Sequence, residues 1–186
     1  MIFYTIPILA RSPAPYGFGI SPIDTSYLLF PFAIVSLILG PTSGYIISRV
    51  GSILPVLFGT ILVCGGFASL VFFYYSSFFL PIDLIIVSAG IALTNVGSQN
   101  IVMQSTPRQS SGMSLAMTSL LKLIGSAIGP SLAAIFMQSY QITLFINNLK
   151  VQMSSGEAYN LIFFSCLLIS ILSTVLAIIL KKSIKP

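Results

Sequence analysis

Lys122 stands nine residues after Met113 inside a long apolar run. At the helical rise that is roughly 13 Å, near the middle of a hydrocarbon layer about 30 Å thick. An unpaired lysine there costs about 2.5 to 3.5 kcal/mol on insertion scales, so it must face a wet cavity, meet an acid, or snorkel to the inner surface. No acid in the chain lies at a similar depth, so an ion-pair partner would come from outside it. A second group is the polar patch Thr94, Asn95, Ser98, Gln99 and Asn100 within another apolar run. Asn95 and Gln99 are four apart and share one helix face, so both can point into a cavity. Neither is an acid or a base, but both can donate and accept hydrogen bonds. Asn95, Gln99 and Lys122 are the substrate-cavity candidates. The alternative for the patch is interhelical hydrogen bonding, worth about 0.6 kcal/mol on average in membranes.

Asp24 and Asp83 each stand near the outer entrance of an apolar segment. They are weak candidates for proton coupling; helix capping or a favourable dipole contact is the favoured expectation. Gly125, Gly129 and Pro130 form a small-xxx-small face ending in a helix breaker, with Ala116 before it and Ala133 and Ala134 after it. Such a face lets another helix approach closely. With no His, no acidic pair and no metal-spaced cluster, general acid-base or metal chemistry has almost nothing to work with. The expectation is no enzyme, no metal and no cofactor. Cys64 and Cys166 lie in apolar runs and read as small hydrophobic residues.

These residues need elements to hold them, and composition names the kind. The chain is 56% hydrophobic with only 6% charged residues, and its mean hydropathy is +1.04. One soluble core could not hide so much apolar surface. The net charge of +5 would suggest nucleic acid in a soluble domain, but the basic residues are scattered without a stripe, so no nucleic-acid partner is expected. A spanning helix needs about 20 mostly apolar residues, and five segments reach that length: 24–47, 53–75, 80–104, 113–137 and 159–180. The reading is an all-α integral membrane chain, residues 1–186 forming a single transmembrane helical domain in the lipid bilayer. Between the last two spans lies a long stretch expected to rest on the surface.

Charge placement orients this layout under the positive-inside rule. Arg49, Arg108, Lys181, Lys182 and Lys185 fall on one face, taken as cytoplasmic, together with the C-terminus. Arg11, Lys150 and all three acids, Asp24, Asp83 and Glu157, fall on the other. The expected place is the cell membrane, crossed several times. "MIFYTIPILA" is apolar but half the length needed to cross, with neither a basic leader nor a small-residue cleavage site. It reads as the outer end of a helix whose inner half is absent. Pro13, Pro15, Gly17, Gly19 and Pro22 then form a stiff outer turn.

"GYIISRVG", 44–51, resembles the cytoplasmic loop motif of the major facilitator superfamily: Gly44, Arg49 and Gly51 keep their places, while Ser48 stands where an acid is usual. "FPFAIVSLILGPTSGYIISRVGS" resembles the eighth core helix of the fourteen-helix drug:proton antiporter branch, and the stretch from "GIALTNVGSQN" to "GPSLAAIFM" resembles its tenth and eleventh. The row of small residues around Gly125 resembles the antiporter motif of the fifth helix as repeated in the eleventh. The resemblance covers nearly the whole chain, from the tail of the seventh core helix to the twelfth. It implies five helices of a C-terminal bundle plus a partial N-terminal one, with Arg49 in the motif that locks the cytoplasmic gate. It also implies a substrate cavity completed by a second bundle that these residues do not contain.

The functional expectation is therefore a fragment of an exporter that moves a small-molecule drug or metabolite against protons, inactive alone. Its partner would be an N-terminal transporter half or further copies of itself. The rival expectation is a non-transporting membrane protein, a decayed remnant or a packing partner for another bundle.

Overall fold

The computed structural model describes residues 1–13, 17–76, 78–146 and 149–183. Pro15 of the expected outer turn and Lys185 of the inner charge cluster lie outside them. Among the described residues six helices and two strands follow in order: α1 (Ile2–Arg11), α2 (Pro22–Val50), α3 (Ile53–Phe73), α4 (Phe79–Ser105), α5 (Ser111–Ser139), β1 (Gln141–Ile146), β2 (Leu149–Ser154) and α6 (Gly156–Ser183). Helices α2 to α6 are long and apolar enough to cross a membrane, so the five expected spans are present, most extended by a turn or less at either end. The stretch expected to lie on the surface between the last two spans contains an antiparallel ladder, from Gln141 opposite Ser154 to Ile146 opposite Leu149.

Local chemistry accounts for the helix ends. Ser21 caps α2: its Oγ accepts from the Asp24 backbone N–H at 3.2 Å and donates to the Asp24 carboxylate at 2.8 Å. With Pro22 in the first turn this is a reciprocal cap. Gly51 closes the same helix, its N–H donating to the Ile47 carbonyl at 2.9 Å. Its φ of 84° is a left-handed conformation that suits glycine and strains other residues. Pro130, expected to break its helix, lies inside a continuous α5. Membrane helices tolerate proline because neighbouring groups and small adjustments re-satisfy the freed carbonyl.

The most extensive packing is between α3 and α4, followed by α3 on α6 and α2 on α4. Glycines account for the first. A Cβ on Gly59 would lie 2.5 Å from Thr94 Oγ1 and 2.7 Å from the Gly90 carbonyl, and a Cβ on Gly90 would lie 2.5 Å from the Gly59 carbonyl. Gly66 against Val87 and Gly97 against Val56 leave equally little room. Gly59 and Gly66, like Gly90 and Gly97, are seven residues apart, two turns along one face. The two backbones therefore touch along their length. Helix α2 is fastened to α4 by polar contacts: Ser88 Oγ donates to the Phe32 carbonyl at 2.8 Å and lies 2.7 Å from Ser36 Oγ.

An apolar cluster including Leu70, Leu80, Leu84, Val87, Ile162 and Phe163 forms the centre, and Ile6 and Leu9 of α1 dock against it. Ser12 Oγ at the end of α1 lies 3.1 Å from the Tyr159 hydroxyl and pins that end to α6. Helix α5 stands apart, with only Ala133 and Met137 buried.

Candidate functional site

Helix α1, just under three turns long, begins beside the middle of α5. The Met1 nitrogen would be 3.0 Å from a Cβ on Gly129, and Met1 Sδ lies 3.3 Å from the Cys166 thiol of α6. Beside the first residues of α1 opens a cavity of about 550 Å³ bounded by α1, α2, α3, α4, α5 and α6. Its walls are mainly apolar, with Phe32, Val63, Phe67, Ile91, Ile128 and Leu132 among them. Gly125 and Gly129 both face it, and a Cβ on Gly125 would meet nothing within 4 Å. The expected small-residue motif thus makes one close contact, Gly129 on Met1, while Gly125 borders empty space.

A second cavity, of about 210 Å³, shares Val63, Ile91, Ser170 and Ser173 with the first. It adds Thr60 of α3 and Thr94 and Asn95 of α4. By helical rise these side chains lie roughly 20 to 25 Å from the helix ends on the Arg11 side of the bundle, at matching depths on three helices. Three hydroxyls are already committed as donors: Thr60 to the Leu57 carbonyl at 3.0 Å, Thr94 to Gly90 at 2.8 Å and Ser170 to Leu167 at 2.8 Å. Each keeps acceptor capacity, and the Asn95 amide adds both donor and acceptor.

Asn95 thus reaches the cavity wall, whereas Gln99, one turn further in, is exposed and lines neither cavity. Lys122 is exposed on α5 and is not brought together with Asn95. Thr60, Ser170 and Ser173 were not anticipated. Their one signal is that they are hydroxyl residues in the inner halves of apolar spans, and serine and threonine commonly satisfy themselves there by bonding back to their own helix.

The two acids are placed differently. Asp24 is not itself the cap of α2 but the third residue of the reciprocal cap that Ser21 forms. Asp83 caps nothing: it is the fifth residue of α4, only 2% exposed, in the apolar seam with α3. Among the described residues its Oδ2 has no hydrogen-bond partner. A buried carboxyl with an unpartnered oxygen costs about 1 to 3 kcal/mol. Asp83→Leu, close in volume and wholly apolar, should therefore raise resistance to denaturation in detergent by about that amount, read as a shift in an SDS titration followed by circular dichroism.

Arg49 is exposed in the last turn of α2, its guanidinium 4.7 Å from the centre of the Tyr45 ring. Both the ring and the helix C-terminus favour a cation there. Gly44 has open space where a Cβ would stand.

The sequence was compared with known proteins. It is 28% identical over 124 residues to the uncharacterized transporter YebQ of Escherichia coli, covering 66% of this chain and 27% of that protein. It is 29% identical over 112 residues to the multidrug resistance protein Stp of Mycobacterium tuberculosis, covering 60% of this chain and 21% of that protein. The chain thus spans roughly a quarter of the length of these relatives. No solved structure matches it. The family model of the Major Facilitator Superfamily matches residues 1–186, end to end. Five apolar spans among the described residues, packed in one bundle, and that match over residues 1–186 establish the chain as a multi-pass membrane protein of the Major Facilitator Superfamily.

Proposed function

We propose that this chain forms part of a secondary transporter that exports a small apolar or amphipathic compound in exchange for protons, and that a second helical bundle completes the substrate cavity. The observation that carries the reading is the polar cavity of Thr60, Thr94, Asn95, Ser170 and Ser173, set well inside helices long enough to span a bilayer. Family membership and the multidrug resistance relative support transport as the activity. In this reading Asn95 contacts the substrate, Gln99 and Lys122 line the route on the side of the second bundle, and Arg49 with Gly44 and Gly51 belongs to the cytoplasmic gate. Asp83 carries the coupled proton, since Asp24 is already engaged by Ser21.

Counterflow of a dye panel in proteoliposomes, with and without an imposed proton gradient, tests this. Asp83→Asn should retain exchange down a gradient but lose accumulation driven by protons. Equal accumulation by both proteins would remove Asp83 from coupling, and absence of flux in every combination would favour a packing partner without transport.

In the same reading the C-terminus, the end of α2 carrying Arg49 and the loop carrying Arg108 face the cytoplasm of the cell membrane. In a chain with Cys64→Ala and Cys166→Ala, a membrane-impermeant thiol reagent added to intact cells should label Ser139→Cys and spare Ser110→Cys. The reverse pattern would invert the topology.

A further inference from the structure

Away from both cavities a pocket of about 460 Å³ opens where α3 and α5 end and α6 begins, on the side of the bundle where Ser12 meets Tyr159. From Glu157 to Ser170 is roughly 20 Å along α6, so this pocket is separate from the polar cavity. Two tyrosines stand in its wall, and both are held. Tyr75 packs on Tyr74 with ring centres 3.9 Å apart, and its hydroxyl lies 2.6 Å from where a Cβ on Gly156 would stand. The Tyr74 hydroxyl donates to the Gly156 carbonyl at 3.2 Å, so position 156 has no room for a side chain. Tyr140 is fixed through its backbone: its N–H donates to the Phe136 carbonyl at 3.2 Å, and its carbonyl accepts from the Ser155 N–H at 2.8 Å. Both rings are partly exposed at helix ends, as tyrosines at membrane interfaces are. Among the described residues Glu157, in the first turn of α6, is the one formally charged group in this wall, and Asn160 follows it on the same helix face.

The wall sets the sign of the occupant. A helix start attracts anions through its free N–H groups, but Ser155 already serves one of them: the Ala158 N–H lies 3.4 Å from Ser155 Oγ and 3.1 Å from its carbonyl. Against the remaining fraction of a charge stands the full charge of the Glu157 carboxylate, so the pocket favours a cation. Tyrosine rings favour one whose charge is spread over methyl or methylene groups. We propose that this pocket binds an alkylammonium group at the level of the lipid headgroups, its charge beside Glu157 and its alkyl groups against Tyr75 and Tyr140. The Asn160 and Gln141 amides offer oxygens to any N–H that the group carries. The source is a lipid headgroup or a free amine, and the pocket stands whether or not the chain moves a solute.

Choline binding to the full chain in nanodiscs of phosphatidylglycerol, a lipid without ammonium, tests this, read by saturation-transfer NMR of the trimethyl signal. The reference ligand is the neutral analogue of choline in which carbon replaces the nitrogen. Choline should bind about tenfold more tightly than the analogue, the difference expected for one contact to a charged group. Glu157→Gln should remove that preference and Glu157→Asp should keep it. Glu157 is exposed, so neither variant disturbs packing, and unchanged circular dichroism verifies this. Tyr140→Leu should weaken choline about two- to fivefold through the lost ring. In nanodiscs of phosphatidylcholine, loss of choline binding identifies the headgroup as the occupant, and undiminished binding identifies a free amine; both support the pocket's chemistry. Equal binding of choline and its analogue, a preference that survives Glu157→Gln, or no saturable choline binding in phosphatidylglycerol would overturn it.

Discussion

In the proposed exporter, Lys122→Met should lower export by roughly ten- to a hundredfold while leaving the amount of protein in the membrane unchanged. Lys122 is exposed on α5, and Ser119 and Ser126, three residues before and four after it, share its face. Both serines already donate to their own helix, to the Leu115 carbonyl at 2.9 Å and the Leu123 carbonyl at 2.7 Å. Each hydroxyl keeps lone pairs that can accept from the ammonium, while the charge itself must still be met by water, by a snorkelling route or by a group from a second bundle. Hydrogen bonds to charged groups are worth about 1.5 to 3 kcal/mol, so losing one in the transport cycle lowers flux by roughly ten- to a hundredfold. Methionine keeps the length and apolar stem, so insertion should be unharmed or improved. Flux in proteoliposomes and quantitative blotting of membranes read the two effects separately. Unchanged flux in Lys122→Met would reduce Lys122 to a snorkelling residue.

The largest structural effect should come from Gly90→Leu. A Cβ there would stand 2.5 Å from the Gly59 carbonyl and 2.9 Å from the Val63 nitrogen, so the obstruction is backbone that cannot rotate away. Helices α3 and α4 would have to separate along the seam that also buries Leu84 and Val87. Overpacking a tight core costs about 1 to 3 kcal/mol, and a backbone clash puts this substitution at or above the upper end. The matching control is Gly125→Leu, whose side chain enters open space. An SDS titration followed by circular dichroism should show early unfolding for Gly90→Leu and little change for Gly125→Leu. If the two behaved alike, the α3–α4 seam would not be what holds the bundle together.

The contrast between these glycines shows how far the amino-acid pattern reaches. Gly125, Gly129 and Pro130 have the more familiar spacing, yet Gly59, Gly66, Gly90 and Gly97 make the closest contacts. Their period of seven was visible, but two apolar helices carry many small residues, and nothing local says which pair will face each other. Asp83 shows the same limit. Its position near the start of α4 suited a cap, and only the packing of α3 against that turn buries it. Asn95 and Gln99 share a face by arithmetic, yet the cavity ends between them.

What the sequence alone determined is what the solvent dictates: five spans, because a bilayer sets the length of an apolar helix, and chain reversals next to Arg49 and at Arg108, because charge is expelled from hydrocarbon. Tertiary structure alone decided which faces meet, which glycines touch, and that hydroxyls from α3, α4 and α6 line one cavity. The physical reason is that a helix apolar on all sides has no hydrophobic period to orient it, so facing is settled by close packing between helices far apart in the chain.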